Sequence, residues 1–199
     1  MIKAILSLVA ITLTFYAFFL YVRSILNDKT KPHFFSWVIW GMTTCIVFLA
    51  QLSDGGGVGA WPIGVSGIIT LGIAGLAYSK REAISITRID GLFFSLALLS
   101  LPVWYFTTDA LWAVILLTTI ELLGFAPTFR KSYYLPFSES LSFIVLMGLR
   151  NVLSILALEH YSLTTVLFPA TVALVCMVFI VMLILRRRYI QIKPVYFVG

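Results

Sequence analysis

The sequence has few charged residues. Lys and Arg together number 14 and Asp and Glu 8, so charged residues make up 11% of the 199 and hydrophobic residues 61%. A soluble domain usually carries about 25% charged residues, so this composition excludes a soluble globular protein. The charges are also clustered, which leaves apolar runs of roughly 18–24 residues, each long enough to cross a hydrocarbon core of about 30 Å. The sequence therefore predicts an all-α integral membrane protein.

Cysteines and the common catalytic motifs are equally scarce. The two cysteines, Cys45 and Cys176, lie in separate apolar runs and form no C-x-x-C pair, which argues against a disulfide oxidoreductase. The chain has no H-E-x-x-H, G-x-S-x-G or Walker sequence, and its last apolar run has no lysine for a retinal Schiff base. We therefore expect no enzyme activity, no cofactor and no metal site.

Seven apolar segments can be counted, and the loops between them indicate an orientation. Basic residues lie in the loops after segments one, three and five and in the tail, whereas the charged residues of the other loops are Asp54, Asp109 and Glu159. The positive-inside rule then places the N-terminus outside and the C-terminus in the cytoplasm, in the plasma (inner) membrane. The net charge of +6 forms no basic face, so nucleic acid is not an expected partner. The segments are 4–22, 34–52, 60–79, 90–106, 110–127, 138–157 and 163–186.

An internal repeat organises these segments. Residues 15–81 and 119–188 each contain an apolar segment, a basic loop, a proline with a serine four residues later, a second segment, an acidic loop and a third segment. Three segments per repeat with one segment between them predict seven transmembrane helices in a 3+1+3 parallel duplication, with two three-helix bundles related by an axis along the membrane normal. The predicted units are a first bundle at 1–81, a linker helix at 82–108, a second bundle at 109–190 and a cytoplasmic tail at 191–199.

The second repeat also carries a family resemblance. Pro127-Thr128-Phe129-Arg130-Lys131-Ser132 is followed by Pro136 and by Glu139-Ser140-Leu141-Ser142. Together with the 3+1+3 arrangement, this resembles the PQ-loop superfamily, which includes the SWEET sugar transporters and has a proline-glutamine pair, a basic loop and a serine-bearing helix start. Thr128 stands where the glutamine would be, and the first repeat has Val22-Arg23-Ser24 in place of the pair.

Two prolines are candidates for bending. The resemblance implies a hinge role for Pro127, at the end of segment five. The alternative from the residues alone is that Pro127 merely ends its helix. Pro169 lies inside segment seven, where we expect a kink because proline removes one helical hydrogen bond.

Two charged residues fall inside predicted spans, where charge is costly and often functional. Glu121 lies in segment five and Arg150 in segment six. One interpretation is a structural ion pair that locks two helices, or an Arg150 side chain that snorkels outward. The other is that Arg150 binds an anionic or polar solute, that Glu121 carries a coupling proton, or both.

The predicted solute contacts are Trp40, Gln51, Arg150 and Asn151. SWEET-like proteins use Asn and Trp to hold their solute, and Asn151 and Trp40 match that use by residue type and depth. Trp37 shares a helix face with Trp40, but a position in the aromatic belt at the membrane surface is the favoured interpretation for it. Asn and Gln in spans also join helices, which is the alternative for Asn151 and Gln51.

Two smaller patterns complete the sequence. Glu159-His160 follows segment six and predicts a solvated loop, with pH sensing as the alternative. Close helix packing is predicted for segment three from its glycines, which are Gly64, Gly67, Gly72 and Gly75.

These observations predict a small polar-solute transporter that works by alternating access between its two bundles. The alternative is a membrane receptor or assembly factor on the same scaffold, which binds a ligand without moving it. A third interpretation is an intramembrane enzyme that uses Glu121 or Glu159-His160. The expected partners are the lipid bilayer and the solute, which is a sugar, an amino acid, a nucleoside-like molecule or a small carboxylate. The sequence leaves a homo-oligomer open.

Overall fold

The protein is helical in the residues that the computed structural model describes, which are 1–27, 34–79, 88–137 and 139–192. These ranges contain seven α-helices, one 3₁₀ turn at Gly57–Ala60 and no strand, which confirms the all-α prediction. The loops that hold Pro32 and Arg81, and the predicted tail beyond Ile192, lie outside the described residues. The helices are α1 (Ile2–Leu26), α2 (Phe34–Ser53), α3 (Trp61–Ser79), α4 (Arg88–Thr107), α5 (Ala110–Tyr134), α6 (Leu141–Ala157) and α7 (Leu163–Ile192).

The helices follow the seven apolar segments but differ from them at several ends. α1, α5 and α7 each continue past the predicted segment, because the basic residues that follow the apolar run are also good helix formers. α6 begins later than predicted, at Leu141, because Ser140 is its N-cap. The Ser140 side chain accepts a hydrogen bond from the Phe143 backbone N–H at 3.3 Å.

Four helical stretches are long and apolar enough to cross a membrane. They are Ile2–Leu26, Phe34–Ser53, Gly57–Ser79 and Leu163–Ile190. Three shorter apolar helices, Gly91–Thr107, Ala110–Phe125 and Leu141–Ala157, accompany them in the described part of the chain. The chain is therefore a helical membrane protein, and seven complete crossings stay a prediction.

The outer surface of the helices is strongly apolar. Large hydrophobic side chains on α7 are more than half exposed, namely Leu174, Met177, Val178, Val181 and Leu185. A soluble protein rarely exposes so large an apolar surface, whereas the lipid-facing side of a membrane helix requires one. Apolar residues also fill the interior, where Val47, Ile63, Leu117, Phe168 and Leu183 are almost completely buried.

The helices of the two repeats pack in corresponding ways. α3 packs against both α1 and α2, and α7 packs against both α5 and α6. Between the repeats, α1 lies along α6 and α2 lies along α5. α4 packs against α5 and α2. The first helix of each repeat, α1 or α5, therefore contacts the second helix of the other repeat, α6 or α2.

Small residues allow several of these helices to approach closely. The buried residues of α1 include Ser7, Ala10, Thr14 and Ala17, which share one face by their spacing of three and four. A Cβ atom at Gly67 would lie 2.7 Å from the Cys45 sulfur, so α3 meets α2 there without room for a side chain. Gly72 and Gly75 instead face open space, so the close-packing prediction is wrong for these two glycines.

α4 and α5 form a tight helical hairpin. α4 ends at Thr107, α5 begins at Ala110, and the two helices pack together. Thr108 takes a left-handed conformation with φ of 55°, which reverses the chain. The Asp109 carboxylate then accepts a hydrogen bond from the Leu111 backbone N–H at 2.9 Å, as a helix start requires.

Candidate functional site

The polar residues that the sequence singles out lie in the interior, among the helices of both repeats. Gln51 on α2 and Asn151 on α6 are completely buried, and Arg150 on α6 is 3% exposed. Glu121 on α5 and Trp40 on α2 are partly buried. Because the surrounding helices are apolar, each polar atom here needs a partner inside the protein. The hydrogen bonds of these side chains therefore define the candidate site.

Arg150 extends from α6 towards the start of α3. Its Nη1 donates to the Pro62 carbonyl oxygen in a long hydrogen bond of 3.4 Å. Its Nε is buried and has no hydrogen-bond partner among the described residues. A guanidinium has five N–H donors, so the protein satisfies this cation only in part.

Glu121 makes a separate contact on α2. Its Oε2 accepts a hydrogen bond from the Thr43 hydroxyl at 3.5 Å. Within the described part of the chain, no ion pair joins Glu121 to Arg150. The direct ion pair, which was one of the two interpretations, is therefore absent among the described residues, because Arg150 contacts the α3 backbone while Glu121 contacts α2. The two charges and the Cys176 thiol on α7 still lie within electrostatic reach of one another.

Gln51 and Asn151 each use their amide nitrogen and leave their oxygen without a partner. Gln51 Nε2 donates to the Thr165 carbonyl oxygen at the start of α7, at 2.6 Å. Asn151 Nδ2 donates to the Met147 carbonyl oxygen of its own helix, at 2.8 Å. Neither Gln51 Oε1 nor Asn151 Oδ1 has a hydrogen-bond partner in the described residues. Gln51 therefore joins α2 to α7, and both residues keep a buried acceptor available.

Two hydroxyl residues extend this site beyond the four predicted contacts. Thr118 lies almost one turn before Glu121 on α5, is 4% exposed, and has no hydrogen-bond partner for its Oγ1 in the part of the chain described. Ser154 lies one turn after Asn151 on α6 and donates to the Gly59 carbonyl oxygen at 2.6 Å. The sequence signal for both was their spacing of three residues from a stronger candidate on the same helix.

An aromatic cluster covers the end of the site near the basic loops. We define it as Phe18, Tyr21, Trp37, Trp40 and Phe143. Trp37 meets Trp40 edge-on with ring centroids 5.8 Å apart, and it packs on Phe18 at 6.4 Å and on Tyr21 at 4.9 Å. Phe143 of α6 completes the cluster at 5.9 Å from Phe18 and 5.5 Å from Tyr21. Trp37 is only 7% exposed, so its interpretation as a membrane-belt residue is wrong, because rings from α1 and α2 cover it.

Trp40 also touches the second repeat. Its indole Nε1 lies 2.9 Å from the point that a Cβ atom of Gly124 would occupy. The absence of a side chain at Gly124 thus allows the ring to lie directly on α5. Trp40 therefore stands between α2 and α5, on the same two helices that bring Thr43 to Glu121.

At the opposite end, polar contacts join the α2–α3 connection to the α6–α7 connection. His160 Nδ1 lies 2.9 Å from the Asp54 carbonyl oxygen, and the Ser162 hydroxyl donates to the Asp54 carboxylate. The Glu159 backbone N–H donates to the Gly56 carbonyl oxygen at 3.1 Å. The Glu159-His160 side chains are exposed, which confirms the predicted solvated loop, and hydrogen bonds also hold this loop to the first repeat.

Two further bonds tie α1 to the same end. Ser7 donates to the Val58 carbonyl oxygen at 2.6 Å, and Lys3 Nζ donates to the Leu158 carbonyl oxygen at 2.7 Å. Together with the Ser154–Gly59 bond and the Asp54–His160–Ser162 contacts, these bonds form what we call the polar cluster. All but the Ser7 bond connect a residue of the first repeat unit to one of the second. The interior site thus lies between an aromatic cluster and a polar cluster.

The two candidate bending positions are both helical. Pro169 lies inside α7, as predicted. α5 continues through position 127 to Tyr134, so the interpretation that Pro127 ends its helix is wrong. A proline removes one backbone hydrogen bond, but the turns after it can still form their own. Hinge roles for Pro127 and Pro169 stay predictions.

Basic residues at the end of α7 bind the connection between α5 and α6. Arg187 Nε donates to the Pro136 carbonyl oxygen at 2.9 Å, and its Nη2 donates to the Glu139 carbonyl oxygen at 2.8 Å. Arg186 Nε donates to the Tyr133 carbonyl oxygen at 2.9 Å. These arginines, which the sequence indicated only as orientation signals, therefore also hold the loop that carries the resemblance.

Comparisons with known proteins give no relative for the chain. No protein-family model matches it, and no match is found among curated proteins or among solved structures. The resemblance to the PQ-loop superfamily therefore stays a prediction.

Proposed function

We propose that the protein is a small polar-solute transporter, in which two three-helix units move against each other and open a central site to each side in turn. The first unit consists of α1–α3, the second of α5–α7, and α4 links them. The corresponding packing of the two repeats supports this arrangement. In each unit the third helix packs against both others, and the α1–α6 contact is mirrored by the α2–α5 contact.

The observation that carries the proposal is the set of buried polar atoms without partners. Gln51 Oε1, Thr118 Oγ1, Arg150 Nε and Asn151 Oδ1 are all buried and lack a hydrogen bond to the described residues. Leaving such a group unsatisfied costs about 1–3 kcal/mol, and more for a charged one. A polar solute that offers both donors and acceptors would satisfy them, so the residues fit a solute site better than a purely structural core.

The two clusters support alternating access as the mechanism. The aromatic cluster joins α1 and α2 to α6, and the polar cluster joins the loops of the two units. A carrier needs a barrier on each side of its site, so that one can open while the other stays closed. A receptor needs only one. Separable contacts at both ends therefore favour a carrier over the receptor or assembly-factor alternative.

The charge distribution supports an orientation for this carrier. We place it in the plasma (inner) membrane, with the polar cluster outside and the aromatic cluster towards the cytoplasm. The basic residues beside the aromatic-cluster end support this placement by the positive-inside rule, whereas Lys3 is the one basic residue at the other end.

The proposal is tested by binding and then by flux. Thermal unfolding of the purified protein in detergent is measured with a panel of sugars, amino acids, nucleosides and small carboxylates. A solute that binds the folded state raises the unfolding temperature by mass action. We expect a selective hit that Asn151→Ala abolishes and that Ser142→Ala, an exposed position on the same helix, retains.

Each hit is then loaded into liposomes that contain the protein. Uptake above that of protein-free liposomes supports a transporter. Selective binding without uptake would replace the proposal with the receptor or assembly-factor alternative. If no solute class in the panel showed either binding or uptake, the result would contradict the proposal.

A further inference from the structure

The interior holds an unusual combination of charges. Among the described residues, Arg150 is the one charged side chain that is buried. The partly buried Glu121 lies within its electrostatic reach. The two do not form a direct ion pair in the described structure. The site therefore contains one cation and one carboxylate, each held by a weak contact of 3.4 Å or 3.5 Å.

The unused Nε–H donor of Arg150 bears on what kind of ligand this cation would bind. Its Nη1 bond to the Pro62 carbonyl is long, and its buried Nε is unused by the described residues. A guanidinium presents its N–H groups as a planar fork that matches the two oxygens of a carboxylate. A neutral solute such as a sugar would leave the guanidinium without a direct ion pair, because Glu121 contacts Thr43 and not Arg150, whereas a carboxylate would supply that pair.

Charge balance then involves Glu121. With a monocarboxylate bound, the site would contain one cation and two anions in a low-dielectric interior, which is costly. Uptake of one proton by the Glu121 carboxylate restores neutrality. The Thr43 hydroxyl of α2 contacts Glu121, and the titratable groups within electrostatic reach on the other helices are Arg150 of α6 and Cys176 of α7, of which Arg150 is the cation.

We propose that the solute is a small monocarboxylate that binds the Arg150 guanidinium and crosses the membrane together with one proton held on a Glu121 oxygen. This inference rests on the proposed transport function. The anion and the proton bind from one side and leave to the other, so no covalent bond is made or broken and no net charge moves.

The first test compares L-lactate with lactamide, its neutral amide, by binding to the wild-type protein. We expect lactate, but not lactamide, to raise the unfolding temperature. The dissociation constant for lactate should rise with pH by up to about tenfold per unit, as expected for one linked proton. Glu121→Gln, which has a fixed neutral side chain, should bind lactate with little dependence on pH. Arg150→Gln should lose binding, while Arg150→Lys, which keeps the charge without the fork, should bind more weakly.

The second test measures uptake of labelled lactate into liposomes. An inward proton gradient should drive uptake in the wild type, and a potassium gradient with valinomycin should have no effect because the process is electroneutral. In Glu121→Gln the proton gradient should lose its effect, while exchange of external for internal lactate persists. Pyruvate serves as a second monocarboxylate probe.

Several results would overturn this inference and leave the transport function intact. They are uptake of a neutral solute with no binding of lactate or pyruvate, equal stabilisation by lactate and lactamide, and lactate binding that does not depend on pH in the wild type. These comparisons need no variant, so poor folding of an Arg150 variant does not affect them. Failure of every solute to enter the liposomes would instead contradict the proposed function itself.

Discussion

A methyl group added at Gly59 would collide with the backbone of the second unit. The Cβ atom of an alanine there would lie 2.4 Å from the Leu158 backbone nitrogen and 2.5 Å from its Cα. Backbone atoms cannot rotate away as a side chain can, so the whole 3₁₀ turn must move. That movement would also stretch the 2.6 Å bond from Ser154 to the Gly59 carbonyl oxygen. We therefore expect Gly59→Ala to destabilise the protein by about 1–3 kcal/mol, the usual cost of overpacking.

Thermal unfolding in detergent measures this loss. For a chain of this length, 1 kcal/mol corresponds to roughly 2–4 °C in the unfolding temperature. Gly72→Ala is the matched control, because its Cβ would meet nothing within 4 Å and alanine favours a helix over glycine by up to about 1 kcal/mol. A Gly59→Ala protein that unfolds at the wild-type temperature, or an equal loss of stability in both variants, would contradict this expectation.

Three further predictions concern the same parts of the molecule. Ser154→Ala should lower stability by about 1–2 kcal/mol because a buried carbonyl loses its donor, whereas the exposed Ser142→Ala should change it by less than about 0.5 kcal/mol in the same unfolding assay. In a Cys45→Ser protein, a water-soluble thiosulfonate should label Cys176 slowly because this thiol is only 3% exposed. A bound solute should slow the labelling further. Rapid labelling would show that water reaches the site. Alkaline phosphatase fused to the C-terminus should be inactive and a green fluorescent protein fused there should fluoresce, and the reverse would contradict the proposed orientation.

The helices were the most predictable feature of this chain. Apolar length and clustered charge indicate where each segment lies, and all seven segments correspond to helices. The ends were less predictable, since basic residues that end an apolar run do not end a helix. α5 therefore continues past Pro127 to Tyr134, and α6 begins only at Leu141, after its N-cap Ser140. The apolar and charged pattern in those cases indicates where a helix leaves the lipid, and it does not indicate where its backbone hydrogen bonds end.

The candidate site was predictable in its members but not in its contacts. Arg150 and Glu121 attract notice because charge is rare inside an apolar run. The partner of Arg150, however, is the backbone carbonyl of Pro62, 88 residues away, and a backbone atom has no signature in the sequence. Trp37 was misplaced for a related reason. Its depth along the helix is clear from the sequence, but nothing in its own helix shows that Phe18 and Tyr21 of α1 pack on it.

The two clusters at the ends of the interior differ in stiffness. The polar cluster consists of hydrogen bonds to carbonyl and carboxylate oxygens. Such a bond is lost when its donor–acceptor distance increases by about 1 Å. The aromatic cluster is built mainly from ring contacts, and its ring planes meet at angles from 36° to 77°. Rings of this kind can tilt and slide while staying in contact. In the proposed transporter, the polar-cluster end would therefore open only by breaking its hydrogen bonds, whereas the aromatic-cluster end would let the two units rotate while their rings stay in contact.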